Sequence, residues 1–346
     1  MKKILLAMSG GVDSSVAALL LQKQGFSVLG AYMRLKSDYA EGERAARLVA
    51  EKLGIKFYPL NISQKFKQDV MDYFVDSYKD GITPNPCVRC NKLIKFGELL
   101  RVKEDMGADY LATGHYVQIK KDNKEINLCR AVDRNKDQSY FLYNLTQDQL
   151  KQIIFPLGGY TKYEIKKIAE KNNLPNIKTE SQDVCFLLDE GKIVEHNEYL
   201  KNHIKANPGQ IMTLDGKTIG KHQGLYFYTR GQRKGIEIGG TGPYYAASMD
   251  YAKNILYVVK DPDDPALFGN EFFINNTNWI LNRIKFPVHC EVAIRYRHKA
   301  VACVVEPIDS GNYKVILKKP ERAITPGQSA VFYAGDTVLG GGEICV

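Results

Sequence analysis

Three groups of residues in this chain have types and spacing that could do chemistry. The first is Cys87 and Cys90, in TPNPCVRCNKLIKF, residues 83–96. A Cys-x-x-Cys pair can hold a metal, switch redox state or carry sulfur. Pro84 and Pro86 stiffen an extended approach. A helix predicted over Asn91 to Met106 then places both cysteines at or just before its first turn. A helix N-terminus favours thiolate, and Arg89 and Lys92 push the same way. A structural zinc takes four ligands, and no second Cys-x-x-Cys or histidine pair stands at usable spacing. The second group is Cys185 in SQDVCF, after a polar stretch, Lys178 to Asp183, that reads as a loop. The other reading of Cys185 is a core residue beside Phe186 and Leu187. The third group is SGGVDSS, residues 9–15.

Ser9 to Ser15 lies between an apolar run and a helical one. The glycines allow a phosphate to approach the backbone. The helix behind them offers open N–H groups and the positive end of its dipole. The two serine hydroxyls add donors. This turn carries no Gly-Lys-Thr and no Gly-x-Gly-x-x-Gly, so it is neither the common P-loop nor the dinucleotide fingerprint. Without a ligand, the same residues would make a tight strand–helix turn.

The elements that must position these groups alternate. Strands are expected at Lys3 to Met8, Phe26 to Met33, Ile55 to Ile62 and Tyr110 to Thr113. Helices are expected at Asp13 to Gln24, ended by Gly25, at Glu41 to Leu53, stopped by Gly54, and after a capping Ser63. Such alternation predicts an α/β doubly wound, mostly parallel sheet, whose ligands bind beyond the carboxyl ends of its strands. A hairpin is expected over Tyr116 to Ala131, turned at Asp122-Asn123. Thr161 and Glu164 form a capping box for a helix reaching Lys171. Near residue 200 the texture changes to short strands punctuated by Pro208-Gly209, Asp215-Gly216, Arg230-Gly231 and Gly239-Gly240. From about Phe272 the chain reads as all-β, a small barrel. Its Val288–Arg297 segment alternates apolar and polar residues, with Arg295 and Arg297 on the polar face. The expected division is a catalytic domain over 1–203, a small central domain over 204–270 and a C-terminal β-barrel over 271–346.

Composition bounds the rest. The chain has 346 residues, 44% hydrophobic and 25% charged, enough for more than one core. Its formal net charge of +9 favours polyanionic partners, nucleic acid above all. No run approaches the roughly 18 apolar residues of a membrane span. The apolar start is too short for a signal peptide, so a cytoplasmic protein is expected. Seven cysteines, an odd number, argue against a secreted disulfide framework. Cys129, Cys290 and Cys303 read as small core residues in strands.

SGGVDSS resembles the pyrophosphate loop of the N-type ATP pyrophosphatases, which adenylate a carbonyl oxygen. With NPCVRCNKLIKF, ATGHY, KDQSYFL, DVCF, TRGQRKG and TPGQSAVFY in one order over nearly the whole chain, the sequence resembles the bacterial tRNA-specific 2-thiouridylases, the MnmA family. The resemblance implies 2-thiolation of the wobble uridine of tRNA, with ATP and Mg²⁺, by a tRNA-uridine 2-sulfurtransferase. Sulfur would arrive from a cysteine desulfurase relay. It implies that Ala7, Met8, Ser9, Gly10, Gly11, Val12, Asp13 and Ser14 hold ATP phosphates and that Met33 and Gly114 border the nucleotide. Cys90 matches the catalytic nucleophile and Cys185 the persulfide carrier, the two joining in a disulfide during turnover. Asn85, Pro86 and Cys87 would line the uridine. His115, Lys136, Asp137, Gln138, Arg295, Tyr296 and Gln328 match tRNA contacts.

One departure stands out. Many family members have aspartate where this chain has Cys87. Three thiols, Cys87, Cys90 and Cys185, leave open a [4Fe–4S] cluster in place of the persulfide. Two other function classes compete: an amidotransferase-type synthetase built on the same loop, and a non-enzymatic RNA-binding protein.

Overall fold

The computed structural model describes residues 1–36, 40–122, 125–175, 185–189, 192–236, 238, 242–309 and 311–345. The first half is a parallel sheet of β1 (Lys3–Ala7), β2 (Ser27–Arg34), β3 (Lys56–Asn61), β4 (Tyr110–Ala112) and, after the hairpin β5 (Val117–Asp122) and β6 (Glu125–Arg130), β7 (Ile153–Ile154). The spatial order is β3-β2-β1-β4-β7. β1 is central, pairing Leu5 with Leu29 on one side and with Leu111 on the other. Its residues alternate. Ile4, Leu6 and Met8 enter one core and Leu5 the other, as a strand buried on both faces must.

Helices α1 (Val12–Lys23) and α2 (Ala40–Leu53) cover the first face. The second is covered by α3, which runs Ser63–Phe66, widens to a π turn over Lys67–Asp72 and resumes as Tyr73–Lys79. Beside it lies α4, built as Pro86–Cys90, a π turn over Asn91–Glu98, and Leu99–Asp105. A fifth helix, α5 (Lys162–Lys171), opens with the predicted capping box. The strand order reverses between β1 and β4, which puts the ligand crevice at their carboxyl ends.

After the short pair β8 (Leu188–Asp189) and β9 (Lys192–Ile193) comes a four-stranded sheet. It contains β10 (Gly209–Thr213), β11 (Thr218–His222), β12 (Tyr245–Asp250) and β13 (Ile255–Val259), in the order β11-β10-β13-β12. The last part is β14 (Phe268–Trp279), β15 (Val288–Ala293), β16 (Val301–Asp309), β17 (Asn312–Arg322), β18 (Ser329–Ala334) and β19 (Thr337–Cys345). These close into a six-stranded barrel, because β14 pairs with both β17 and β19. The predicted hairpin β5–β6 joins this barrel through Thr337 opposite Cys129, so the first half of the chain extends the last sheet.

Three local expectations are corrected. Ser63 does not cap α3 but is its first residue. Asn61 plays the part of the turn, accepting from both the Ser63 backbone and its hydroxyl at 3.3 and 2.8 Å. The β15 strand ends at Ala293 rather than Arg297, and Arg297 takes a left-handed φ of 60°. The cysteine helix starts at Pro86, five residues before Asn91, because proline suits a first helical position and Asn85 caps it. Asn123, the Lys178–Asp183 loop and Gly239-Gly240 lie outside the described residues. No helix among the described residues is long and apolar enough to cross a membrane.

Candidate active site

The glycine loop follows β1 directly. Met8 N–H still pairs with Ala31 at 2.8 Å, and the chain then turns at Gly10, whose φ is +82°. A side chain at Gly10 would place its Cβ 2.6 Å from the Gly42 carbonyl oxygen, so only glycine lets the loop lie on α2. Ser9 and Ser14 brace the turn through their hydroxyls, 3.3 Å apart, and Ser14 and Ser15 both donate to the Gly11 carbonyl. Gly11 precedes α1 without a side-chain cap, leaving first-turn N–H groups for an anion. Gly114, just after β4, passes close enough that a Cβ there would lie 3.3 Å from the Ser14 nitrogen. Ala7 and Met33 stand on the neighbouring strand ends, β1 and β2, both partly buried. Every residue expected at the nucleotide therefore lies around the switch between β1 and β4. Asp13 is engaged: Lys162 Nζ lies 2.7 and 2.8 Å from its carboxylate oxygens, and the Tyr116 hydroxyl donates to it at 2.6 Å.

The cysteines sit on the other side of the sheet. Asn85 caps α4 by accepting from the Val88 N–H at 3.2 Å. Cys87 and Cys90 are thus both inside the helix, one turn apart. The thiolate expectation fails for Cys90. It is 7% exposed, and burial pushes its thiol up to about 12. The cations named from sequence do not face it. Arg89 lies over the Tyr73 ring, 4.1 Å from its centre, and donates to the Asp69 carbonyl, while Lys92 is exposed. The cation that does act on Cys90 is Lys95, five residues on. In an α-helix that residue would lie about 140° around the axis; the π turn over Asn91–Glu98 carries it back toward Cys90.

Cys185 is brought to the same place. A negative charge on it would push the Cys90 thiol up further, and Lys95 opposes the burial that raises both thiols. Phe186 anchors this segment in the core against Phe74 and Tyr199, at 5.1 and 5.5 Å, and its carbonyl accepts from Lys36 at 2.6 Å. Among the described residues, no three His, Cys, Asp or Glu side chains converge as a metal site.

Comparison with known proteins decides the family. Residues 2–189 match the model described as tRNA methyl transferase HUP domain, 197–260 the tRNA methyl transferase PRC-barrel domain, and 269–344 the aminomethyltransferase beta-barrel domain. The chain is 42% identical to the tRNA-specific 2-thiouridylase MnmA of Actinobacillus pleuropneumoniae serotype 3 (strain JL03), over 99% of this chain and 91% of that one. It is 43% identical to the MnmA of Blochmanniella pennsylvanica (strain BPEN), over 99% and 97%. The chain belongs to the tRNA-specific 2-thiouridylase MnmA family.

For a 2-thiouridylase family member, the residues matched to tRNA contacts fall into two sets. Arg295 and Lys136 reach solvent at least in part, and the Tyr296 ring packs 4.3 Å from Phe141. The Phe141 carbonyl in turn accepts from Asn91 on the cysteine helix. The second set is internal. His115 is buried between Phe96 and Phe155, with Nδ1 2.7 Å from the Thr113 hydroxyl. Asp137 is buried and accepts from Ala131 N–H and Ser139 Oγ at 2.9 and 2.8 Å. Gln138 accepts from Tyr116 N–H at 3.0 Å. These three hold the crossing from β4 to the hairpin.

Pro86 is buried in the first turn of α4, and Asn85 also bonds Tyr140. Sequence reasoning missed Lys95, Tyr116, Phe141 and Lys162 at this site. Lys95 carried a usable signal, because it lies in the same motif as Cys90. Tyr116 and Phe141 likewise lie in the ATGHY and KDQSYFL motifs, whereas Lys162 lies outside every motif and had none.

Proposed function

We propose that this protein thiolates C2 of the wobble uridine of tRNA at the expense of ATP. The observation that carries the reading is the approach of Cys185 to Cys90 in a chain whose glycine turn also offers open N–H groups suited to a nucleotide's phosphates. An amidotransferase-type synthetase would account for the glycine loop but not for this pair of thiols. In the proposed division, residues 1–203 supply catalysis, and 204–270 and 271–346 help to hold the tRNA.

The uridine O2 attacks the α-phosphorus of ATP, and pyrophosphate leaves. The first-turn N–H groups of α1 and the Ser9 hydroxyl bind the phosphates, while Ser14 braces the turn through the Gly11 carbonyl. Any magnesium enters with the nucleotide, since the one carboxylate of the loop, Asp13, is held by Lys162 and Tyr116. A persulfide on Cys185, loaded by a sulfur-donor protein, adds its terminal sulfur to C2, and AMP departs with O2. The Cys90 thiolate then attacks the inner sulfur of Cys185. The S–S bond to the transferred sulfur breaks, a Cys90–Cys185 disulfide forms, and the sulfur stays on C2. A thiol reductant restores both cysteines. Cys90 rests protonated, so its attack requires loss of that proton, which Lys95 assists. The base must leave the anticodon stack to be reached.

The test incubates unmodified tRNA with the full chain, ATP, Mg²⁺ and a persulfide-charged donor. Mass spectrometry of the nucleosides should show one oxygen exchanged for sulfur on uridine. A Cys185→Ser variant thiolating at the wild-type rate would remove the relay. Release of pyrophosphate without tRNA, in the presence of ammonia or small acids, would point to the synthetase instead.

A further inference from the structure

The glycine loop has no lysine of its own: between Lys3 and Lys23 the chain carries no basic residue. A loop that takes a triphosphate is served by a cation beside its N–H groups, as the lysine of the common P-loop provides. We infer that Lys162 is that cation, the residue that binds the β and γ phosphates of ATP. This rests on the ATP reading above and assigns a further substrate contact within it.

Lys162 is the first residue of α5, far along the chain from the loop. Its backbone is fixed from two sides. Thr161 and Glu164 close the capping box, and Lys162 N–H donates to Asp133 at 2.9 Å. The side chain is 11% exposed and runs to the start of α1, where Nζ meets both oxygens of Asp13. Asp13 is the second residue of α1, so the ammonium is stationed at the turn where phosphate would bind. An ammonium has three donors. Asp13 takes two, and one remains for a phosphate oxygen without the pair being broken.

A half-buried ion pair is a poor source of stability, because desolvation offsets most of its attraction. Asp13 is also satisfied by Tyr116, and it sits at a helix N-terminus that favours its charge without a lysine. What the pair does provide is a lysine held in one place and neutralised until a polyanion arrives. It also makes the site depend on α5.

The experiment is calorimetric titration of the full chain with the Mg²⁺ complex of α,β-methylene-ATP, and separately with AMP. Wild type is compared with Lys162→Gln, which keeps a hydrogen bond to Asp13 but loses the charge, and with Lys162→Arg. Lys162→Gln should bind the triphosphate about tenfold more weakly, as expected for one charge-assisted contact, with AMP affinity within twofold of wild type. Pyrophosphate should compete with the triphosphate in wild type and Lys162→Arg but not in Lys162→Gln. Parallel loss of both ligands, or loss of neither, would overturn the inference and make Lys162 a tie between helices. If Lys162→Gln does not fold, Asp13→Asn/Lys162→Gln removes both charges and is scored the same way. Failure of wild type to bind the triphosphate is a separate result, which removes the ATP reading itself and the inference with it.

Discussion

The Gln328 side-chain amide donates to the carbonyl oxygens of Thr83 and Pro84, at 3.1 and 3.3 Å, tying the barrel to the chain that enters the cysteine helix. The Thr83 N–H answers by donating to the Pro326 carbonyl at 3.1 Å. Gly327, at φ +85°, lies against Ile82 so closely that a Cβ would come within 2.1 Å of its side chain. The central sheet joins in. Tyr251 donates to the Gly81 carbonyl at 3.2 Å, and the Thr83 and Thr229 hydroxyls are 3.3 Å apart. Residues 81–84 are therefore a strap held by both later parts of the chain. Gln328 is also the residue matched to a tRNA contact; with its NH2 directed at the strap, the amide oxygen is the atom that would accept from RNA in this geometry.

Gln328→Ala should loosen the strap. Loss of two neutral hydrogen bonds predicts about 1–3 kcal/mol of destabilisation. Amide exchange should speed up at residues 81–84 while β1 and β4 stay protected. Unchanged exchange there would show that Pro326 and Gly327 suffice.

Cys90 should resist alkylation. Its thiol is buried and held up to about 12, so little thiolate exists at neutral pH. Iodoacetamide at pH 7.5, read by peptide mass spectrometry, should label Cys90 far more slowly in the folded protein than in urea. Lys95→Met should slow it further, because Lys95 is the cation that opposes the upward shift. Rapid labelling of Cys90 in the folded wild type would contradict the burial argument.

What could be read from sequence was local. The Thr161–Glu164 box, the glycine stops at Gly25 and Gly54, and the alternation of β1 to β4 each depend on neighbours a few residues apart, and each is found where expected. The glycine turn was legible for the same reason. The cysteine helix begins earlier than its sequence suggests, because Pro86 reads equally as an extended approach and as a first helical residue, where a proline costs a helix nothing. The state of Cys90 was not legible. It follows from burial beside Cys185 and from the π turn that swings Lys95 round, and no pattern within residues 83–96 specifies either. Lys162 and Gln328 meet partners 149 and 245 positions away, contacts that only the closed fold creates.

Gly10→Ala should damage the nucleotide loop more than the fold. The substituted Cβ would meet backbone, the Gly42 carbonyl at 2.6 Å, in a conformation that L-residues rarely take. A loss of about 1–3 kcal/mol in stability is expected. The triphosphate titration should show a larger proportional loss, because α2 or the loop must move. Wild-type affinity in this variant would mean that the loop can bind phosphate without the Gly10 turn.

His115 should make the protein sensitive to acid. Burial, with the nearby Lys95 charge, holds its pKa well below the ordinary value, so it stays neutral in the fold. In the unfolded chain it takes a proton as pH falls through about 6.5. The unfolded state then binds more protons than the folded one, so stability rises with pH in this window and is lost as pH falls below about 6.5. One such group contributes a slope of at most about 1.4 kcal/mol per pH unit. His196, His222 and His298 are also held low by burial and add to the slope. His115→Phe places a third aromatic ring between Phe96 and Phe155 and removes the proton site. Urea melts at pH 7.5, 6.5, 5.5 and 5.0 should show the wild-type stability falling more steeply than the variant's by up to one proton. The variant's absolute stability can differ through loss of the Thr113 hydrogen bond, but its pH slope is independent of that bond. Equal slopes would mean that His115 is protonated within the folded protein and that its surroundings are more open than the packing around it implies.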